Sequence, residues 1–152
     1  MESLKILNSK EKKQIISILK KNYGFNGTLP FIFLTNNKNR IFLMSTDLDK
    51  LDIEKIRINS MGLYFAEVIG SDIRLSIEGS RLIGRSCDKN IVTLSNEEKN
   101  EWLLGIDIEK KTDKPGFILL KYNEEFLGCG KQISAKILNY IPKNRRVKIT
   151  LA

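Results

Sequence analysis

The sequence predicts an α+β protein: a small antiparallel sheet with one helix, followed by a compact β-rich barrel that carries one main helix. Three observations lead to it. Short apolar runs separated by turn residues recur from about residue 30 to the end of the chain, the pattern of antiparallel strands. Two segments instead place their apolar residues at helical spacing behind a capping box. The 152 residues suit one ordinary domain or two small ones, and a hydrophobic content of 41% with only three prolines is that of a folded chain.

The first helix is expected from about Ser9 to Tyr23. Asn8 or Ser9 caps it, and Glu11 stands three residues after Asn8, as a capping box requires. Ile15, Ile18, Leu19 and Asn22 share one side, with Lys10, Lys12, Lys13, Lys20 and Lys21 around the rest, so the helix docks by an isoleucine stripe and solvates a lysine face. Gly24 supplies its stop.

"LPFIFLT" and "RIFLMST" read as a hairpin around the turn "NNKN", because asparagine tolerates positive φ. After the acidic connector "DLDKLDIEK", "IRINSMGLYFAEV" suggests one or two strands bent near Gly62. In "IRLSIEG", Ile73, Leu75 and Ile77 alternate with Arg74, Ser76 and Glu78 as in a strand, and "GSRLIGRS" follows as a helical turn. No proline- or serine-rich linker comes next, but the pattern restarts around Asp88. We therefore expect two units, 1–87 and 88–152.

In the second unit "NIVTL" is a short strand. "SNEEKNEWLLG" is a helix with Ser95 as N-cap, Glu98 closing the capping box, Trp102 and Leu103 as anchors and Gly105 as its end. "IDI", "GFILLKY", "EFLGCGK", "AKILNYI" and "RVKITLA" then form a series of short strands.

The segment "GFILLKYNEEFLGCGKQISAKILNYIPKNRR" resembles the PUA domain, the pseudo-barrel shared by pseudouridine synthases and archaeosine transglycosylases. It is most similar to archaeal small PUA proteins and to the tail of the Sun/fmu class of ribosomal RNA cytosine methyltransferases. Upstream, "IRINSMGLYFAEVIGSDIRLSIEGSRLIGRSCDKNIVTL" is similar to the pre-PUA domain of Nip-type ribosome-biogenesis proteins. Together the two stretches run from about Arg57 to Arg146. Asn123 stands where related chains often put a turn glycine, and Ser134–Ala135 replaces another glycine-containing turn. The resemblance implies a pre-PUA domain over 1–87, a PUA domain over 88–152, and contact with RNA. At Gly105 it implies a close approach of RNA backbone, an alternative to a plain helix stop.

Charge points the same way. Twenty-six basic residues against eighteen acidic ones give a formal charge of +8, which favours a polyanionic partner. From Phe126 to Ala152 the basic residues are Lys131, Lys136, Lys143, Arg145, Arg146 and Lys148, with no acid among them. With Pro142 fixing the entry and Asn144 making the turn, "PKNRR" is expected to join the last two strands and to project its cations from a rigid edge. Arginine meets phosphate as a planar fork and lysine as a point charge. Lys143, Arg145, Arg146, Lys148, Lys131 and Gly105 are thus the expected RNA-binding residues. Tyr140 is either a core tyrosine of "KILNYIP" or a stacking face for an unpaired base.

Other chemistries find little support. The chain has no histidine, the commonest general base and metal ligand. Cys87 and Cys129 match neither a disulfide framework nor a zinc motif and read as small core residues. Glu78 and Asp107 are lone carboxylates. No apolar run approaches the roughly 18 residues of a membrane span, and the start "MESLKILNSKEKKQ" lacks a secretory apolar region. The expectation is a cytoplasmic, non-catalytic RNA-binding protein without cofactor, metal or membrane partner, holding rRNA or tRNA in ribosome biogenesis or RNA modification. Ribosomal precursor particles or an RNA-modifying enzyme are the expected company. The alternative is an accessory subunit lending RNA affinity in trans to a separate RNA methyltransferase.

Overall fold

A computed structural model describes residues 3–45 and 62–148. The described residues are α+β, with two sheets and three α-helices among them. The acidic connector and the residues just before Gly62 lie outside the described residues, as do 149–152.

The first sheet is an antiparallel meander in sequence order: β1 (Lys5–Ile6), β2 (Phe31–Thr35), β3 (Arg40–Ser45), β4 (Leu63–Ile69) and β5 (Asp72–Leu75). Helix α1 (Ser9–Tyr23) begins at the expected capping box: Glu11 N donates to Asn8 Oδ1 at 2.8 Å, and Asn8 N donates to Glu11 Oε1 at 3.0 Å. It ends at Gly24 in the left-handed region. Ile15, Leu19 and Tyr23 are its buried face. The lysine face is not wholly solvated, because Lys12 reaches across to donate to Phe31 O at 2.8 Å and lies over the Phe33 ring. The β2–β3 hairpin turns where expected, with Asn36 Oδ1 accepting from Lys38 N and Arg40 N and with Asn39 at φ 61°.

One local reading is corrected. The alternation through Ile77 predicts a strand, but β5 ends at Leu75 and α2 occupies Ile77–Ile83. Ser76 decides it: its hydroxyl accepts from Gly79 N at 2.9 Å as an N-cap and donates to Tyr64 O at 2.6 Å. A serine is a strong N-cap wherever three helical residues can follow it, and here that overrides the two-residue period.

The second sheet has the order β6 (Ile91–Thr93), β7 (Gly116–Tyr122), β8 (Glu125–Ile133), β9 (Lys136–Asn139), with β6 parallel to β7 and the others antiparallel. Helix α3 (Asn96–Leu103) starts at the Ser95–Glu98 capping box. The unbroken apolar run of β7 has a structural cause, since the strand is buried on both faces. Phe117 and Leu119 join one core with Leu19, Phe33 and Phe65 of the first sheet and its helix, while Ile118 and Leu120 join a second core with Trp102, Leu127 and Ile137. The two sheets therefore share a hydrophobic interior.

Turn geometry agrees with the sequence. Asn123 (φ 52°) and Ser134 (φ 50°) take the left-handed conformation that the resemblance assigns to glycines. In "FLGCG" the register shifts opposite Leu120 and Lys121, and Gly128 sits at this bulge with φ 121°. Ile108 makes only an isolated bridge to Ile137. "RVKITLA" forms no strand over Arg146–Lys148.

Candidate nucleic-acid interface

The C-terminal edge is built on Asn139. Its side-chain amide donates to Trp102 O at 2.8 Å and Ile106 O at 3.0 Å, its Oδ1 accepts from Ile141 N at 2.8 Å, and its own N–H donates to Asp107 Oδ1 at 2.8 Å. The amide donors fasten β9 to the end of α3, and Oδ1 fixes the chain where it leaves β9. Ile141 is buried, Pro142 leads out, and Lys143–Arg145 form a 3-10 turn. Val147 N then donates to Leu103 O at 2.8 Å. The turn is anchored on both sides, but it is a 3-10 turn, and no strand follows it over Arg146–Lys148, the last of the described residues.

Its cations are not equivalent. Lys143 and Lys148 are exposed, and among the described residues no carboxylate pairs with either. Arg145 makes a 2.6 Å ion pair with Glu78 on α2. Arg146 folds back, Nε donating to Ile141 O at 3.0 Å. Its side chain fills the space in which a Cβ on Gly105 would lie, and Gly105 itself sits at φ 87°. The open backbone at Gly105 thus accommodates the protein's own arginine. Lys131, on β8, holds its ammonium over the Phe117 ring, 5.4 Å from the centroid. Lys136 pairs with Asp107 at 3.7 Å. The expected set of cations projecting together from one edge is therefore reduced, with Lys143 and Lys148 the least engaged.

Both thiols are core groups. Burial pushes the Cys129 thiol up to about 11, and burial with the nearby Asp88 carboxylate pushes Cys87 up to about 12. Cys129 Sγ lies 3.4 Å from the Tyr23 hydroxyl, with no base to activate it there.

A second basic feature was not legible in the sequence. A cleft of about 300 Å³ opens between the sheets, lined by Arg40, Tyr64, Arg74, Glu78, Tyr140 and Arg145 among others. Tyr140 belongs to the rim of the shared core, its ring 6.3 Å from that of Phe117, and the Arg74 guanidinium lies over it at 4.3 Å. Strand alternation places Arg74 on the polar side of β5, but nothing in one sequence says which tyrosine it will meet.

Comparison with known proteins points to one family over the C-terminal part of the chain. Residues 89–147 match the family described as the methyltransferase RsmF PUA domain. This segment is similar to a PUA domain. Similarity to curated proteins extends further along the chain than the matched segment alone. The ribosomal RNA small subunit methyltransferase F of Vibrio atlanticus is 29% identical over 92 residues, 60% of this chain and 20% of the relative. That of Vibrio campbellii is 30% identical over 98 residues, 60% of this chain and 20% of the relative. That of Aeromonas hydrophila is 25% identical over 118 residues, 77% of this chain and 25% of the relative. The chain thus spans about a fifth to a quarter of the length of these relatives. The matched segment includes α3, β6–β9 and the 3-10 turn with Lys143, Arg145 and Arg146. Among the described residues no helix is long and apolar enough to cross a membrane.

Proposed function

We propose that this protein binds RNA, without catalysing a reaction of its own, through the basic edge of its PUA domain. The observation that carries the reading is the run from Phe126 to Ala152, which holds six basic residues and no acid and lies largely within the segment matched to the RsmF PUA domain. Lys143 and Lys148 make the first phosphate contacts, with Arg145 and Lys131 beside them, and Arg146 chiefly stiffens the turn. The ribosomal RNA named in the relatives' titles supports rRNA, in ribosome biogenesis or rRNA modification, as the class of target. The absence of histidine and the protonated, buried thiols support a binding role. The division into a pre-PUA unit over 1–87 and a PUA unit over 88–152 belongs to this reading, the shared core fixing how the two present one surface.

A second reading is favoured by the relatives themselves. They are named methyltransferases, and the part of them that matches this chain is 20–25% of their length; in this reading the chain supplies RNA affinity in trans to a methyltransferase. Co-purification from cells separates the two, ribosomal precursor particles supporting the first and a single methyltransferase the second.

The primary test is binding of a structured rRNA fragment across a salt series. Wild type should lose affinity steeply with salt, by about 0.7 to 0.9 in the log–log slope for each phosphate neutralised. Lys143→Glu with Lys148→Glu should weaken binding and flatten that slope. Unchanged affinity in the double variant removes the site, and salt-independent or absent binding by wild type removes the function.

A further inference from the structure

The cleft between the sheets has a composition that neither a core nor a solvated surface needs. Three guanidinium groups, those of Arg40, Arg74 and Arg145, line it together with the rings of Tyr64 and Tyr140, and Leu75, Ile77 and Ile141 form part of its apolar wall. These residues come from β3, β4, β5, α2 and the segment after β9, so the cleft exists only because the two sheets pack against each other. A concave, mostly apolar space with a few convergent polar groups is the usual form of a small-ligand site.

Its arginines are held in place by rings and carboxylates. Arg74 lies with its guanidinium 4.3 Å above the Tyr140 ring, and Glu67 steadies it from the side at 3.8 Å. The same Glu67 accepts from Arg40 Nε at 3.3 Å, while Arg40 rests 5.6 Å over the Tyr64 ring. The Arg74 guanidinium thus lies over an aromatic ring, and a planar guanidinium supported by such a ring is a stacking platform for a nucleobase. The carboxylates do not cancel the field: three arginines meet two acids, Glu67 and Glu78. The Arg145–Glu78 pair is partly open to solvent on both sides, the kind of pair that a phosphate can compete for at little cost.

We propose that this cleft receives a single unpaired nucleotide of the bound RNA, its base stacked on the Arg74 plane that Tyr140 supports and its phosphate neutralised by Arg145 and Arg40. The proposal rests on the RNA-binding reading above and adds to it a second contact, selective for unpaired RNA, beside the phosphate-gripping edge. Salt-dependent affinity then comes mainly from Lys143 and Lys148, and preference for an unpaired nucleotide from the cleft.

The test uses the full chain and two hairpin RNAs, identical except that one carries a single-nucleotide bulge. Wild type should bind the bulged hairpin about tenfold more tightly than the paired one, the scale of one stacked base. Arg74→Lys keeps the charge and removes the plane. It should abolish that preference while leaving affinity for the paired hairpin and its salt slope unchanged, and a thermal melt matched to wild type shows that the fold survives. Should Arg74→Lys lower the melt, Arg145→Gln provides the second probe and should reduce the preference likewise. Trp102, the single tryptophan, also lines the cleft, so titration with uridine or adenosine 5′-monophosphate should change its emission where inorganic phosphate does not. Equal binding of the two hairpins by wild type, or a preference that survives both substitutions, overturns the cleft proposal and leaves RNA binding at the edge intact. Loss of binding to both hairpins in wild type overturns the RNA reading instead. If the mononucleotide alone then binds, the cleft is a site for a free nucleotide and its RNA source is overturned.

Discussion

Arg145 on the C-terminal turn and Glu78 in the first turn of α2 form an ion pair of 2.6 Å that ties the edge of the second sheet to the helix leaving the first. Both side chains are about one-third exposed, at 41% and 32%. The pair therefore contributes at most about 1 kcal/mol to stability, while neutralising one of the cations best placed for a polyanion.

Removing that neutralisation should strengthen RNA binding. Glu78→Gln keeps the shape of the side chain and frees Arg145, so the variant should bind structured RNA several-fold more tightly at low salt. The gain should appear as affinity with little change of the log–log salt slope, because Arg145 meets phosphate in wild type too and the variant removes only the cost of leaving Glu78, with the melting temperature nearly unchanged. A salt titration of wild type and variant side by side checks it, and an affinity that does not move means that Arg145 never reaches the RNA.

Gly105→Ala should be among the most damaging small substitutions in the PUA domain. The residue sits at φ 87°, and an added methyl would run into the Arg146 side chain. The backbone strain alone costs about 1–3 kcal/mol. Displacing Arg146 also gives up its 3.0 Å bond to Ile141 O, which loosens the turn carrying Lys143. Thermal unfolding should show the loss in full, and RNA affinity measured well below the melting temperature should fall less than in the Lys143→Glu, Lys148→Glu variant.

Alkaline pH should destabilise the fold through its buried thiols and Tyr23. Burial raises the Cys129 thiol from 9.0 to about 11 and the Cys87 thiol to about 12. Burial also raises Tyr23, well above its ordinary value. Each of these groups is harder to ionise in the folded chain, so the unfolded chain releases protons first. Their contribution is complete below about pH 9 and declines as pH rises from there towards 11–12. A two-unit shift corresponds to about 3 kcal/mol. Melting temperature followed from pH 8 to 11 should fall with a gradient that is shallower in Cys129→Ala; an identical gradient in that variant would show that the Cys129 thiol contributes nothing to the alkaline loss of stability.

Much of the local structure is legible because it is set by neighbours in sequence. The two capping boxes at Asn8–Glu11 and Ser95–Glu98 stand as the pattern predicts, since a cap needs only residues three apart and a free helix end. The β2–β3 turn and the left-handed Asn123 follow from the conformational freedom of asparagine. Ile77 misleads for an equally local reason: the two-residue alternation continues past Ser76, and only the cap and the Ser76–Tyr64 bond across to β4 show that the strand has ended. "GFILLKY" reads in the sequence as a strand, but its burial on both faces, and which layer each residue faces, came only from the packing of the two sheets.

What the sequence by itself determined is the set of elements, the α+β class and the concentration of positive charge at the C-terminal end, because helix caps, strand periods and charge counts depend on residues close together along the chain. Tertiary structure alone decided which of those charges remain available. Arg145 meets Glu78, Arg146 closes over Gly105, and Arg74 settles on Tyr140, each pairing made by elements distant in sequence. Coulomb attraction and stacking act over a few ångströms of space and take no account of sequence separation, so the shared core between the sheets determines where the cations point.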